Sequence, residues 1–128
     1  MNKMTNYLRA LERLQEAVGM YQAQRDNSLY QDGLIQRFEF TTELAWKSLK
    51  EYLEDQGAEP RGTPKAVLKE AFSAGLVQEE LAWVAILDAR NQTSHIYKEE
   101  TAREIAQRIC ESFLPVFQAL AAVYRENS

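Results

Sequence analysis

The sequence predicts an all-α fold, an antiparallel up-and-down bundle of four main helices and one short one, and three observations carry the prediction. Apolar residues recur at steps of three and four over most of the chain. Asn, Ser, Gly and Pro fall mostly between those runs, where helices start and stop. No stretch alternates apolar and polar residues as a half-buried strand does, and there is no internal repeat or low-complexity tract. The 128 residues suit one domain over 1–128, large enough for a real core and short for two.

In chain order, Met4, Tyr7, Leu11, Leu14, Val18 and Tyr21 form one stripe of a first helix over about residues 3–25, and Asn27 or Ser28 offers a cap for the next. The second helix, Leu29–Gln56, carries Leu34, Phe38, Thr41, Ala45, Leu49 and Tyr52 on one line, with Ile35, Thr42, Trp46 and Leu53 beside it. Phe38, Phe40 and Trp46 at this spacing read as core or interface side chains rather than a base-stacking platform. Gly57 ends the helix as a left-handed cap. Thr63-Pro64 is an N-cap followed by proline at the first helical position, opening a short third helix to about Ala74, ended by Gly75, with Val67, Leu68, Ala71 and Phe72 inward. A fourth helix from Gln78 to about Arg90 shows Leu81, Val84, Ala85 and Leu87 on one face, with Trp83 or Ile86 available for a second. The last helix opens on Lys98-Glu99-Glu100-Thr101, acids well placed for its dipole. Its stripe is Ala102, Ile105, Ile109, Phe113, Val116, Leu120 and Val123, and Pro115 inside it must kink it or be accommodated by neighbours.

The formal charge of -4 argues against nonspecific nucleic-acid binding by bulk electrostatics, so any polyanion needs a focused cationic site. The single cysteine, Cys110, excludes an intrachain disulfide and sits in an apolar setting that suits a reducing cytoplasm. There is no signal-peptide pattern and no apolar run of membrane-spanning length, so a soluble cytoplasmic protein is expected. The chain lacks a glycine-rich phosphate loop, a histidine pair and a cysteine cluster, and no metal or cofactor is expected. The carboxylates Glu51 and Asp55, or Glu99 and Glu100, read as solvated helix faces rather than a magnesium site. Ser94 beside His95, without a nucleophile elbow, does not support a serine hydrolase.

The helical pattern is interrupted by Asp88-Ala89-Arg90-Asn91-Gln92-Thr93-Ser94-His95-Ile96-Tyr97, which holds the only histidine. Arginine supplies a fixed cation with a donor fork suited to phosphate, and histidine moves protons near neutral pH. Five residues apart on an ideal helix, Arg90 and His95 diverge by roughly 140°, so a shared site requires the helix to end or loosen between them. The short polar residues between them favour such a turn. On chemistry alone, the competing reading is a pair that caps a helix C-terminus.

Three runs together resemble one family: Ile35-Gln36-Arg37-Phe38-Glu39-Phe40-Thr41-Thr42-Glu43-Leu44-Ala45-Trp46-Lys47 with Leu49-Lys50-Glu51-Tyr52-Leu53, then Lys69-Glu70-Ala71-Phe72 with Gly75-Leu76, then Arg90 to Tyr97. They resemble the nucleotidyltransferase substrate-binding proteins, or HepT-like proteins, of the HEPN class. The resemblance implies a helical bundle that forms homodimers and pairs with a minimal nucleotidyltransferase. For the HepT-like members it implies the toxin of a toxin–antitoxin pair: a metal-independent endoribonuclease with Arg90 and His95 catalytic, Asn91 supporting the motif, and Tyr97 the residue that the partner silences by adenylylation. Thr42, where an aromatic is more usual, and Ala89, where an acid is common, depart from the pattern.

Cleavage of RNA by its 2′-hydroxyl needs a base, an acid and a cation for the charge growing on phosphate. One histidine per chain is an argument for a dimer that brings two together. The alternative is a non-catalytic subunit presenting a substrate or nucleotide to a separate transferase, and the acidic balance favours it. In a third reading, a purely structural partner, the polar stretch is only a turn.

Overall fold

The computed structural model describes residues 2–95 and 98–127. Helix α1 is Asn2–Ala23, α2 Ser28–Asp55, α3 Pro64–Ser73, α4 Glu80–Thr93, α5 Glu99–Arg108 and α6 Leu114–Glu126, with a π-helical turn at Ile109–Phe113 joining the last two. The local signals act where the sequence places them. The Asn27 side chain accepts from the backbone N–H groups of Leu29 and Tyr30, and Thr63 does the same for Ala66, so two of the helices start on satisfied donors. Gly57 and Gly75 end α2 and α3 at φ of 92° and 80°, a region that a Cβ disfavours.

Going forward along α2 runs backward along α1: Arg37 Nη1 donates to the Arg13 carbonyl at 2.8 Å, and one turn later Thr41 Oγ1 lies 3.4 Å from the Ala10 carbonyl. The two helices are therefore an antiparallel hairpin. α6 crosses back along α1, with Tyr7 against Tyr124 at one end and Gln15 against Gln118 at the other. At the centre lies Phe117, fully buried, its ring 5.6 Å from Trp83, 6.1 Å from Phe38 and 6.5 Å from Tyr7, so that α1, α2, α4 and α6 meet at one side chain.

That hub decides the orientation of α4. Two apolar faces compete on this helix, and the one that turns inward carries Trp83, Ile86 and Leu87, while Leu81 is 85% exposed and Val84 also faces out. Leu87 is buried as expected, but the rest of the expected face is corrected: burying the Trp83 indole and Ile86 removes more apolar surface than burying Leu81 and Val84. Phe72, expected inward, is exposed as well.

Pro115 is accommodated rather than kinked around. It has no N–H for the carbonyl four residues back, and just ahead of it the helix widens so that Leu114 N–H bonds to the Ile109 carbonyl, five residues back. The stripe of the last helix stays on the core side across this turn, with Ile105, Ile109, Phe113, Val116 and Leu120 all buried. Cys110 is only partly buried against the core, where desolvation raises its thiol pKa. Among the described residues no helix is long and apolar enough to cross a membrane.

Candidate active site

Arg90 owes its position to the inward face of α4. Trp83, Ile86, Leu87 and Arg90 follow the i, i+3, i+4, i+7 pattern, so burying the first three turns the arginine toward α2. Its side chain is about one-third exposed, and its Nη1 meets the Glu39 Oε2 at 3.2 Å, the Ser94 hydroxyl at 3.2 Å and the Thr93 hydroxyl at 3.5 Å. Thr93 Oγ1 closes the network, lying 2.6 Å from the Glu39 carboxylate and 2.7 Å from the Arg90 carbonyl. The arginine thus bonds side chains, not the terminal carbonyls that a capping residue would take.

The Arg90 Nε is buried and has no hydrogen-bond partner among the described residues. An unsatisfied buried donor is costly in itself, so the arginine is held here by its Nη1 bonds rather than by full satisfaction, and its exposed third is what a ligand can reach. Arg90 also stands between two cavities. One, of about 530 Å³, is lined by Trp46, Lys65, Leu87, Asn91 and Ser94 among others; the second, of about 300 Å³, is lined by Gln36, Glu39, Phe40, Glu43 and Arg90. Asn91 is exposed on the rim of the larger one.

α4 extends to Thr93, three residues past its expected end, and stops before His95. The break that a shared site requires is present, in the turn at Ser94-His95. His95 is exposed there, held through its backbone N–H to the Gln92 carbonyl at 2.9 Å. No hydrogen bond joins its imidazole to Arg90 among the described residues. Tyr97, the expected site of modification, lies outside the described residues.

Glu39 is the residue of this candidate site that sequence reasoning did not single out. It stands in the run Phe38-Glu39-Phe40, between a fully buried and a 60% exposed aromatic. A carboxylate at the margin of a buried helical face, with no charge partner one turn away, was the available signal, but its partner is on a helix 51 residues further along.

A family model described as nucleotidyltransferase substrate binding protein like matches residues 2–126. The chain belongs to this family. The HepT-like resemblance rests on the same helices that carry the Glu39–Arg90 pair. A Haemophilus influenzae protein named probable ribonuclease HepT is 37% identical over 81 residues, 60% of this chain; the match spans only 56% of that relative's length. A solved Haemophilus influenzae structure, described as revealing the fold of a substrate binding domain of a nucleotidyltransferase, has a TM-score of 0.79 and 30% identity, covering 95% of this chain and 98% of that one. A tri-AMPylated Shewanella oneidensis HEPN toxin in complex with its MNT antitoxin has a TM-score of 0.78 at 16% identity, covering 98% of this chain and 95% of that one, and shows the shared fold.

Proposed function

We propose that this family member is a HepT-like toxin: a metal-independent endoribonuclease that works as a homodimer and is silenced when a partner minimal nucleotidyltransferase adenylylates Tyr97. The observation that carries the reading is Arg90, a guanidinium fixed on one side by Glu39, Thr93 and Ser94, about one-third exposed, at the junction of two cavities. The name of the Haemophilus ribonuclease and the AMP-carrying Shewanella toxin support it from outside.

In this mechanism the 2′-oxygen attacks phosphorus, the bond to the 5′-oxygen breaks, and a cyclic 2′,3′-phosphate forms. One His95 of the dimer takes the 2′-hydroxyl proton and the other donates a proton to the leaving oxygen, while Arg90 stabilises the charge on the phosphoryl oxygens. AMP on Tyr97, seven residues beyond Arg90 in sequence, would add negative charge and bulk that compete with the RNA phosphate.

The family description and the solved Haemophilus structure favour one rival, a non-catalytic subunit that presents a substrate or nucleotide to a separate transferase. Incubating the purified protein with RNA in chelator, beside His95→Ala, separates the two. Wild type should cut and His95→Ala should not. Cleavage that survives in His95→Ala, or that chelator abolishes and magnesium restores, refutes the proposal. Light scattering should give the mass of a dimer.

A further inference from the structure

An acidic protein that acts on RNA must concentrate its cations along the path of the strand, and the face shared by α1 and α2 does this. A groove of about 580 Å³ between these helices is lined by Arg9, Arg13 and Arg37, and none of its lining residues is acidic. Arg9 and Arg13 are four residues apart and so project from the same side of α1, about 6 Å apart along its axis. Arg37 reaches across from α2, its Nη1 on the Arg13 carbonyl at 2.8 Å and 3.8 Å from the exposed Glu16 carboxylate. At the near end stands Phe40, which is 60% exposed and so not the core side chain that its helical spacing allowed us to expect.

The groove is continuous with the site. Gln36 and Phe40 line both it and the cavity that contains Arg90. Within that cavity Glu39 is paired with Arg90, whereas Glu43 accepts only from the neutral Trp46 indole, at 3.1 Å, and meets no cation among the described residues. The middle of the path therefore repels phosphate and suits a base and ribose, whose N–H and O–H groups can donate to a carboxylate. Cations mark its two ends.

We infer that the Arg9–Arg13–Arg37 groove binds the backbone of single-stranded RNA next to the cleaved bond, with a base stacked on Phe40 between the phosphate at Arg90 and those at the three arginines. A cationic groove interleaved with an exposed aromatic is how sequence-tolerant single-strand binding is built. The proposal rests on the ribonuclease reading for its choice of ligand. It explains how a chain of net charge -4 holds a polyanion.

The test measures binding of a fluorescent single-stranded RNA by anisotropy, in the His95→Ala background so that cleavage plays no part. Against that background, Arg9→Gln with Arg13→Gln should flatten the plot of log affinity against log salt by about 1.4, two phosphate contacts at ~0.7 each. Phe40→Ala should weaken binding about ten-fold with the salt slope unchanged. Unchanged affinity and slope in these variants overturn the groove. So does dissociation of the dimer by Arg9→Gln with Arg13→Gln while the slope stays put, since the face would then pack against a second copy. If wild type cuts no RNA yet these variants still lose binding, the ribonuclease reading fails and the groove stands.

Discussion

Helix α2 carries two polar networks about two turns apart, and they differ in what surrounds them. At Ser48 the hydroxyl meets the Tyr124 hydroxyl at 2.7 Å, and nearby the Tyr7 hydroxyl donates to the Phe117 carbonyl at 2.7 Å. Those tyrosines are fully buried, and each has the partner that burial demands. At Glu39 the carboxylate, the Arg90 guanidinium and the Thr93 hydroxyl make bonds of similar length, yet both charged side chains are about 30% exposed and Arg90 keeps an unsatisfied donor. The first network is closed, so disturbing it should cost stability. The second is open on one side, so disturbing it should cost binding and catalysis while leaving the bundle standing.

The strongest way to break that comparison is at the hub both regions lean on. Phe117→Ala should destabilise the fold by about 3–5 kcal/mol, read as a lower denaturant midpoint, and abolish function only by unfolding. Arg90→Ala should instead lower RNA cleavage by about 100- to 1000-fold with an unchanged thermal midpoint. A parallel fall in both would make Arg90 a structural residue. Glu39→Ala, which frees Arg90 to swing, should cost about ten-fold in kcat. Glu39→Gln keeps an oxygen for Thr93 and Arg90, and should recover most of that loss. If Glu39→Gln is as inactive as Arg90→Ala, the carboxylate takes part in the chemistry rather than positioning the arginine.

The buried tyrosines offer a smaller, pH-dependent contrast. Burial, then the neighbouring Tyr124, raises the Tyr7 pKa; burial likewise raises that of Tyr124, against the lowering effect of the Ser48 hydrogen bond. Below about pH 10 both the folded and unfolded chains hold these protons. Above it the unfolded chain releases them first, so stability falls as pH rises. Tyr124→Phe should cost about 1 kcal/mol at neutral pH and soften the alkaline loss in a pH series of unfolding curves. The smallest change in cleavage is expected from Tyr97→Phe, which removes one hydroxyl. It should cut RNA at nearly the wild-type rate, yet show no AMP addition by intact-mass spectrometry after incubation with the partner and ATP. Equal additions on both proteins would place the modification elsewhere.

Much of the fold was legible because its determinants are local. The stripe from Tyr7 to Tyr21, the Asn27 and Thr63 caps and the stops at Gly57 and Gly75 each depend on residues within a turn or two. The polar interruption that holds Arg90 and His95 was legible for the same reason, as was the need for the helix to end before the histidine. The facing of α4 was not, because Leu81 with Val84 and Trp83 with Ile86 satisfy the same period. Only the space beside Phe117 on a distant helix selects between them. That selection turns Arg90 toward Glu39, so the ion pair and the cavities it joins follow from packing. A sequence states what each residue can offer; which offers meet is decided by the one orientation that buries the larger apolar face.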